Sequence, residues 1–213
     1  MIHPFSILDT RTKEWQSRKK WWLNTYRIQS ELGREDTISK SKFWDTKNSV
    51  SIFDPVLCEN MYKWFCPPNG RILDPFAGGS VRGIVAEELG FKYEGVDLSK
   101  KQIEANELQS YKPTWFIGDA SVVVPLLDGE YDFIFTCPPY HDLEVYSNDP
   151  ADLSNMDYSE FVMKLDDIIE KSAKKLKNNR FFAIVVSEIR DLGTTRNYKI
   201  GKYKGFVKDV ESI

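Results

Sequence analysis

Three cysteines in 213 residues, Cys58, Cys66 and Cys137, are odd in number and unrelated in spacing. They make neither a disulfide framework nor a zinc site, and such sparing use fits a reducing compartment. No apolar run approaches the ~20 residues that span a bilayer. The start, Met1-Ile2-His3-Pro4-Phe5, has no basic stretch leading into an apolar one, so no secretory signal is expected. Charge of one sign is also lacking: 29 Lys and Arg stand against 32 Asp and Glu, a net −3 that excludes a strongly cationic polyanion binder on net charge alone. There is no internal repeat or low-complexity tract. What remains, 41% hydrophobic and 29% charged residues, is the composition of a soluble globular chain long enough for one ordinary domain with its own core.

The average charge hides an asymmetry. Residues 1–50 carry 10 basic and 6 acidic side chains, residues 51–170 carry 8 and 22, and residues 171–213 carry 11 and 4. An acidic middle between basic ends suits a protein that meets a polyanion with its edges; ordinary solvated faces account for it more simply. The first fifty residues also hold Trp15, Trp21, Trp22 and Trp44 among Arg18, Lys19, Lys20 and Arg27. Rings interleaved with cations can stack on bases and touch phosphates, or can pack the segment onto the main body. Residues 1–50 are therefore read as a basic, tryptophan-rich segment lying on a core domain of residues 51–213, with the polar stretch Glu31–Asn48 as loop.

From residue 51 strands and helices alternate. Asp54–Trp64 reads as a helix stopped by Pro67-Pro68-Asn69-Gly70. Arg71–Asp74 reads as a strand, Val81–Leu89 as a helix closed by Gly90, Tyr93–Asp97 as a strand and Lys100–Ser110 as a helix. Trp115–Ile117 and Phe133–Thr136 follow as strands. Asp157–Asn178 repeats apolar residues at three and four, with Asp157 and Glu160 as a capping pair. Arg180–Val186 is nearly all apolar, as expected of a parallel strand covered on both faces. The alternation predicts an α/β fold, a doubly wound, mostly parallel sheet that binds ligands at the carboxyl ends of its strands.

Chemistry concentrates at those ends. Ile72-Leu73-Asp74-Pro75-Phe76-Ala77-Gly78-Gly79-Ser80 runs from a strand through an acid and a small-residue turn into a helix. The glycines permit close approach to a ligand. Asp74 repels a pyrophosphate and welcomes a cation such as an α-ammonium group, so this is no dinucleotide fingerprint. Asp97 ends the next strand, where an acid accepts from ribose hydroxyls, and Leu98 can lie on a purine face. Asp119-Ala120 follows the third strand and offers an acceptor to an exocyclic amine. Any one such acid is more simply a helix N-cap; three in register at successive tips point to a site. The fourth strand leads into Cys137-Pro138-Pro139-Tyr140. Its prolines remove two donors and leave carbonyl acceptors beside an aromatic plate, which suits a planar base bearing an amino group.

Together these residues resemble the S-adenosylmethionine-dependent DNA amino-methyltransferases. Asp-Pro-Phe-Ala-Gly-Gly-Ser looks like their cofactor motif, and Cys-Pro-Pro-Tyr like their catalytic Asp/Asn/Ser-Pro-Pro-Tyr. Ser51-Ile52-Phe53-Asp54-Pro55 sits where the family's first cofactor-contacting segment lies. The resemblance spans roughly residues 50–190, and Pro4–Asp9 and Ser30–Arg34 further resemble bacteriophage-encoded members. It implies a Rossmann-like class I methyltransferase fold and methyl transfer to an exocyclic amine in DNA, N6 of adenine ahead of N4 of cytosine. Its catalytic residues would be Cys137, Pro138, Pro139 and Tyr140. Those contacting the cofactor would be Phe53, Pro55, Asp74, Pro75, Phe76, Gly78, Ser80, Asp97, Leu98, Asp119 and Ala120, with no metal. The setting implied is the cytoplasm of a bacterium or a phage-infected host, as in restriction-modification, with DNA as partner and no membrane.

Position 137 departs from the pattern, because a thiol is a weaker acceptor than an Asp, Asn or Ser oxygen. Attack by a cysteine thiolate on cytosine C5 is disfavoured: that family places Pro before Cys. The resemblance leaves an RNA or protein amino-methyltransferase, and a catalytically weak binding relative, as alternatives. The loop His141–Met156 is long, acidic and tyrosine-bearing, the makings of a lid or of disorder. Family members continue past the fifth strand with a helix and two strands. Gly205–Ile213 reads as the start of that helix, so the sheet is expected to lack its last two strands unless a homodimer or another partner supplies them. No target-recognition domain is evident, and low sequence selectivity is expected.

Overall fold

Asp54 shows how the alternation is written locally. Its Oδ1 accepts from Val56 N at 2.9 Å and Leu57 N at 3.3 Å, Pro55 takes the first helical position, and helix α2 runs Pro55–Phe65. The computed structural model describes residues 7–29, 32–33, 38–39, 53–110, 112–141, 144–188, 190–191, 202–203 and 205–213. Trp44, Ser51, Ile52, Pro4–Ser6 and most of the 30–48 stretch lie outside them.

Around α2 stand α1 (Lys13–Thr25) and the two-residue strand β1 (Ile38–Ser39), then β2 (Arg71–Asp74), α3 (Val81–Glu88), β3 (Lys92–Asp97), α4 (Lys100–Gln109) and β4 (Thr114–Ile117). The chain continues through α5 (Ala120–Leu126), β5 (Tyr131–Thr136), β6 (Glu144–Val145), α6 (Tyr158–Ala173), β7 (Leu176–Ile184), β8 (Arg190–Asp191), β9 (Lys202–Tyr203) and α7 (Phe206–Ser212). Five strands form one sheet in the order β4-β3-β2-β5-β7, every pairing parallel. The chain steps outward from β2 to β4 and returns to β5, so the order reverses between β2 and β5, the place where such sheets open a crevice. Two antiparallel pairs, β1 with β6 and β8 with β9, stand apart from it.

Side chains along each strand alternate between two cores. Ile72, Tyr93, Trp115, Phe133 and Phe135 join Trp22, Tyr62, Val85 and Ile103 on the face of α1–α4. Leu73, Val96 and Ile134 join Val124, Phe161, Leu165 and Phe206 on the face of α5–α7. Helix α1 is capped by Thr12. Trp15 and Trp22 are buried, while Trp21 stays 41% exposed under the Arg18 guanidinium, 3.9 Å from its ring centre.

Three expectations are corrected. Helix α6 carries its capping box but ends at Ala173 rather than Asn178, because Leu176 opens β7 instead of adding a turn. Strand β7 is not covered on both faces: among the described residues it is the edge strand, Phe181 is 56% exposed, and its pairing with β5 shifts register between Tyr131 and Phe133 of β5. Helix α5 was not anticipated, since its β-branched run and Pro125 speak against a helix; Asp119 nonetheless caps it through Ser121 N at 2.8 Å.

Candidate functional site

The acids expected at the strand tips are there, but staggered rather than level. Asp74 registers with Gly95, and Asp97 with Ile117. Each acid thus stands two residues beyond its neighbour's level, about 6.6 Å at 3.3 Å per residue. The stagger lets one tip reach the next turn. Asp97 Oδ2 accepts from Gly78 N at 2.8 Å, and Oδ1 from Ser99 N at 2.8 Å. Ala77 N donates to Val96 O, and Gly118 N to Asp97 O. Gly78, at φ +51°, is held from its other side by Asn106 Nδ2 on α4, which donates to its carbonyl at 2.7 Å. That φ strains a residue with a Cβ, so the turn needs glycine there.

Asp74 is held from several elements at once. Its carboxylate is fully buried, and four donors fill its acceptor positions: Phe76 N at 3.2 Å and Thr136 Oγ1 at 2.7 Å on Oδ1, Arg82 Nε at 2.5 Å and Tyr93 OH at 2.6 Å on Oδ2. The carboxylate is a hub that joins β2, α3, β3 and β5. Arg82, itself buried, also donates from Nη2 to Phe76 O at 2.6 Å and Ala77 O at 3.0 Å, and its guanidinium lies 4.5 Å from the Phe53 ring centre. Burial alone would pull the guanidinium down, but Asp74, then Tyr93 and Cys137, hold it above its ordinary value. Burial, then Asp74, drives Tyr93 well above the usual phenol range. Ser80 is likewise buried, and its hydroxyl turns to Gln109 Oε1 at 3.1 Å rather than into the crevice.

The remaining cofactor-side residues divide by exposure. Phe53, Phe76, Gly78, Asp97, Leu98 and Asp119 reach solvent in part; Pro55, Pro75 and Ala120 are buried beneath them. Asp119 caps α5 through Oδ1 and meets Lys164 Nζ through Oδ2 at 2.8 Å. Burial would raise its pKa, yet the hydrogen bonds from Lys164 and Ser121 hold it below the usual carboxylate range. The acceptor expected for an amine is therefore shared with a lysine.

Across the switch point Cys137, Pro139 and Tyr140 are half-buried and Pro138 is buried. Cys137 Sγ lies 3.8 Å from Tyr140 OH, which donates to Val185 O at 3.5 Å, and Phe206 meets the Tyr140 ring edge-on. The tyrosine ring is thus fixed from β7's end and from α7. His141 adopts φ +48° and is buried between Tyr158 and Phe161, its Nε2 3.1 Å from Met156 O. In that loop Asp149 and Asp152 are turn caps, accepting from Ala151 N and Ser154 N.

Sequence reasoning missed Arg82, Tyr93, Asn106, Thr136 and Lys164. Only Arg82 left a signal, a lone cation among the small apolar residues of Val81–Ala86.

No protein-family model matches the chain, and no curated protein matches it. Solved structures do. TrmN from Thermus thermophilus superposes with a TM-score of 0.50 at 18% identity, over 62% of this chain and 38% of that one, so the chain spans well under half of TrmN. A TehB-like SAM-dependent methyltransferase from Corynebacterium glutamicum gives 0.47 at 15% identity over 73% and 70% of the two chains. An rRNA methylase from Streptococcus thermophilus gives 0.46 at 9% over 63% and 72%. Strand order, all-parallel pairing and the TrmN superposition identify the fold as a Rossmann-like, doubly wound α/β sheet.

Proposed function

We propose that the protein transfers a methyl group from S-adenosylmethionine to the exocyclic amine of a base in DNA, with N6 of adenine favoured. One observation carries the reading: a glycine turn gripped by the β3-tip acid and a Cys-Pro-Pro-Tyr turn stand on β2 and β5, the two strands that flank the switch point. The donor set fits the cofactor. Asp97 presents a carboxylate suited to ribose hydroxyls, Leu98 a half-exposed apolar face for a purine, and Asp119 an acceptor at the next tip. When bound, the cofactor supplies an electrophilic methyl on a sulfonium.

The chain's own part is positioning and electrostatics. The Pro138 carbonyl accepts from one N–H of the target amine, which localises the nitrogen lone pair away from the ring. The position 137 side chain sits where a second acceptor is used by relatives, and its sulfur is the weaker choice. Tyr140 offers a plate for a base taken out of its duplex, with its hydroxyl anchored on Val185.

The test is to incubate the protein with methyl-labelled cofactor and unmethylated duplex DNA, RNA or protein, then digest and identify the modified unit by mass. N6-methyladenine from DNA is expected. Label only in RNA or protein moves the substrate class, and none in any of them refutes the reading.

A further inference from the structure

One buried hydrogen bond crosses the switch point. The ladder between β2 and β5 has two register pairs, Ile72 with Phe133 and Leu73 with Ile134. Both functional turns begin beyond the last of them. Past that ladder, Thr136 Oγ1 donates to Asp74 Oδ1 at 2.7 Å, between two fully buried residues. Thr136 is covalently followed by Cys137. Asp74 in turn is tied to Arg82, which holds the carbonyls of Phe76 and Ala77 in the glycine turn. A continuous buried path thus runs from one turn to the backbone of the other.

Transfer between two bound groups needs reacting atoms about 3–3.5 Å apart, and misplacement by about 1 Å can cost on the order of a hundredfold in rate. We propose that Thr136 is a positioning residue: through Asp74 and Arg82 it sets the spacing between the glycine turn and the Cys137–Tyr140 turn, and so between methyl donor and target amine. The proposal rests on the methyl-transfer reading above. Its distinctive consequence is a split. Removing the Thr136 hydroxyl leaves Asp74 bonded to Arg82, Tyr93 and Phe76, so the glycine turn keeps its shape while the other turn drifts. Loosening Arg82 disturbs the glycine turn itself.

The experiment uses the full chain and two readouts: calorimetric affinity for S-adenosylhomocysteine, and single-turnover methyl transfer to whichever nucleic acid the wild type modifies. Thr136→Val should lower the transfer rate at least tenfold while the dissociation constant changes less than about twofold. Thr136→Ser, which restores the hydroxyl, should recover most of the rate. Arg82→Lys should weaken binding at least tenfold. If Thr136→Val does not fold, Thr136→Ala removes the hydroxyl together with the γ-methyl, and the same split is expected. A wild-type rate in Thr136→Val, equal losses of rate and affinity, or a serine variant no better than valine overturns the proposal. Absence of binding and transfer in the wild type instead overturns the reading on which it rests.

Discussion

A carboxylate buried with four donors is defined by its partners, and Asp74 is such a residue. Asp74→Asn keeps the shape but removes the charge that balances Arg82. Breaking one side of a buried pair costs about 3–5 kcal/mol, and urea unfolding of the variant should show a loss of that order; a loss under about 1 kcal/mol would mean the pair is not a hub. The acids at the strand tips were legible in the sequence, because an acid closing an apolar run before small residues marks a strand tip wherever it occurs. The partners were not. Arg82, Thr136 and Tyr93 lie 8, 62 and 19 residues from Asp74, and nothing local says that three strands and a helix bring them to one point. The charge of Asp74 was readable; its saturation by four donors was not.

At the level of elements, two predictions follow from packing. In a helix, Gly to Ala ordinarily stabilises by up to about 1 kcal/mol. Gly83 reverses the sign: a Cβ there would lie 2.6 Å from the Trp115 ring, with Pro113 behind it. Overpacking of that kind costs about 1–3 kcal/mol, so Gly83→Ala should lower the melting temperature, and a rise would show that α3 and β4 are less closely apposed. Helix α1 docks on α2 through Glu59, which accepts from Arg18 at 2.8 Å on both oxygens, from Lys63 at 2.6 Å and from Trp22 Nε1 at 2.6 Å. Burial works to raise the Glu59 pKa, but Arg18, Lys63 and Trp22 win and bring it from 4.5 to about 2. A depressed folded value stabilises above the unfolded one. The contribution is therefore complete above about pH 4.5 and fades between there and about pH 2. Melting curves across that window should fall more steeply for the wild type than for Glu59→Gln; parallel curves would remove Glu59 from the account. Elements with strong periods were readable, α6 above all. Its end and α5 were not. Leu176 satisfies a helical period and a strand equally, and Val122-Val123-Val124-Pro125 has a strand's composition, so only the cap at Asp119 and burial against α6 decide it.

For the molecule as a whole, the order β4-β3-β2-β5-β7 brings residues scattered over more than eighty positions to the carboxyl ends of one sheet. Parallel alternation predicts such a sheet from sequence, because right-handed crossovers leave few other topologies. The stagger of the tips is not readable, since it depends on register. Among the described residues no helix is long and apolar enough to cross a membrane. Titrating the purified chain with S-adenosylmethionine in a calorimeter tests the central claim most directly. A one-to-one isotherm in the micromolar range is expected, weakened about ten- to a hundredfold in Asp97→Ala, as loss of a hydrogen bond to a charged group worth about 1.5–3 kcal/mol requires. A flat titration for the folded wild type, or an Asp97→Ala isotherm identical to it, would contradict the account.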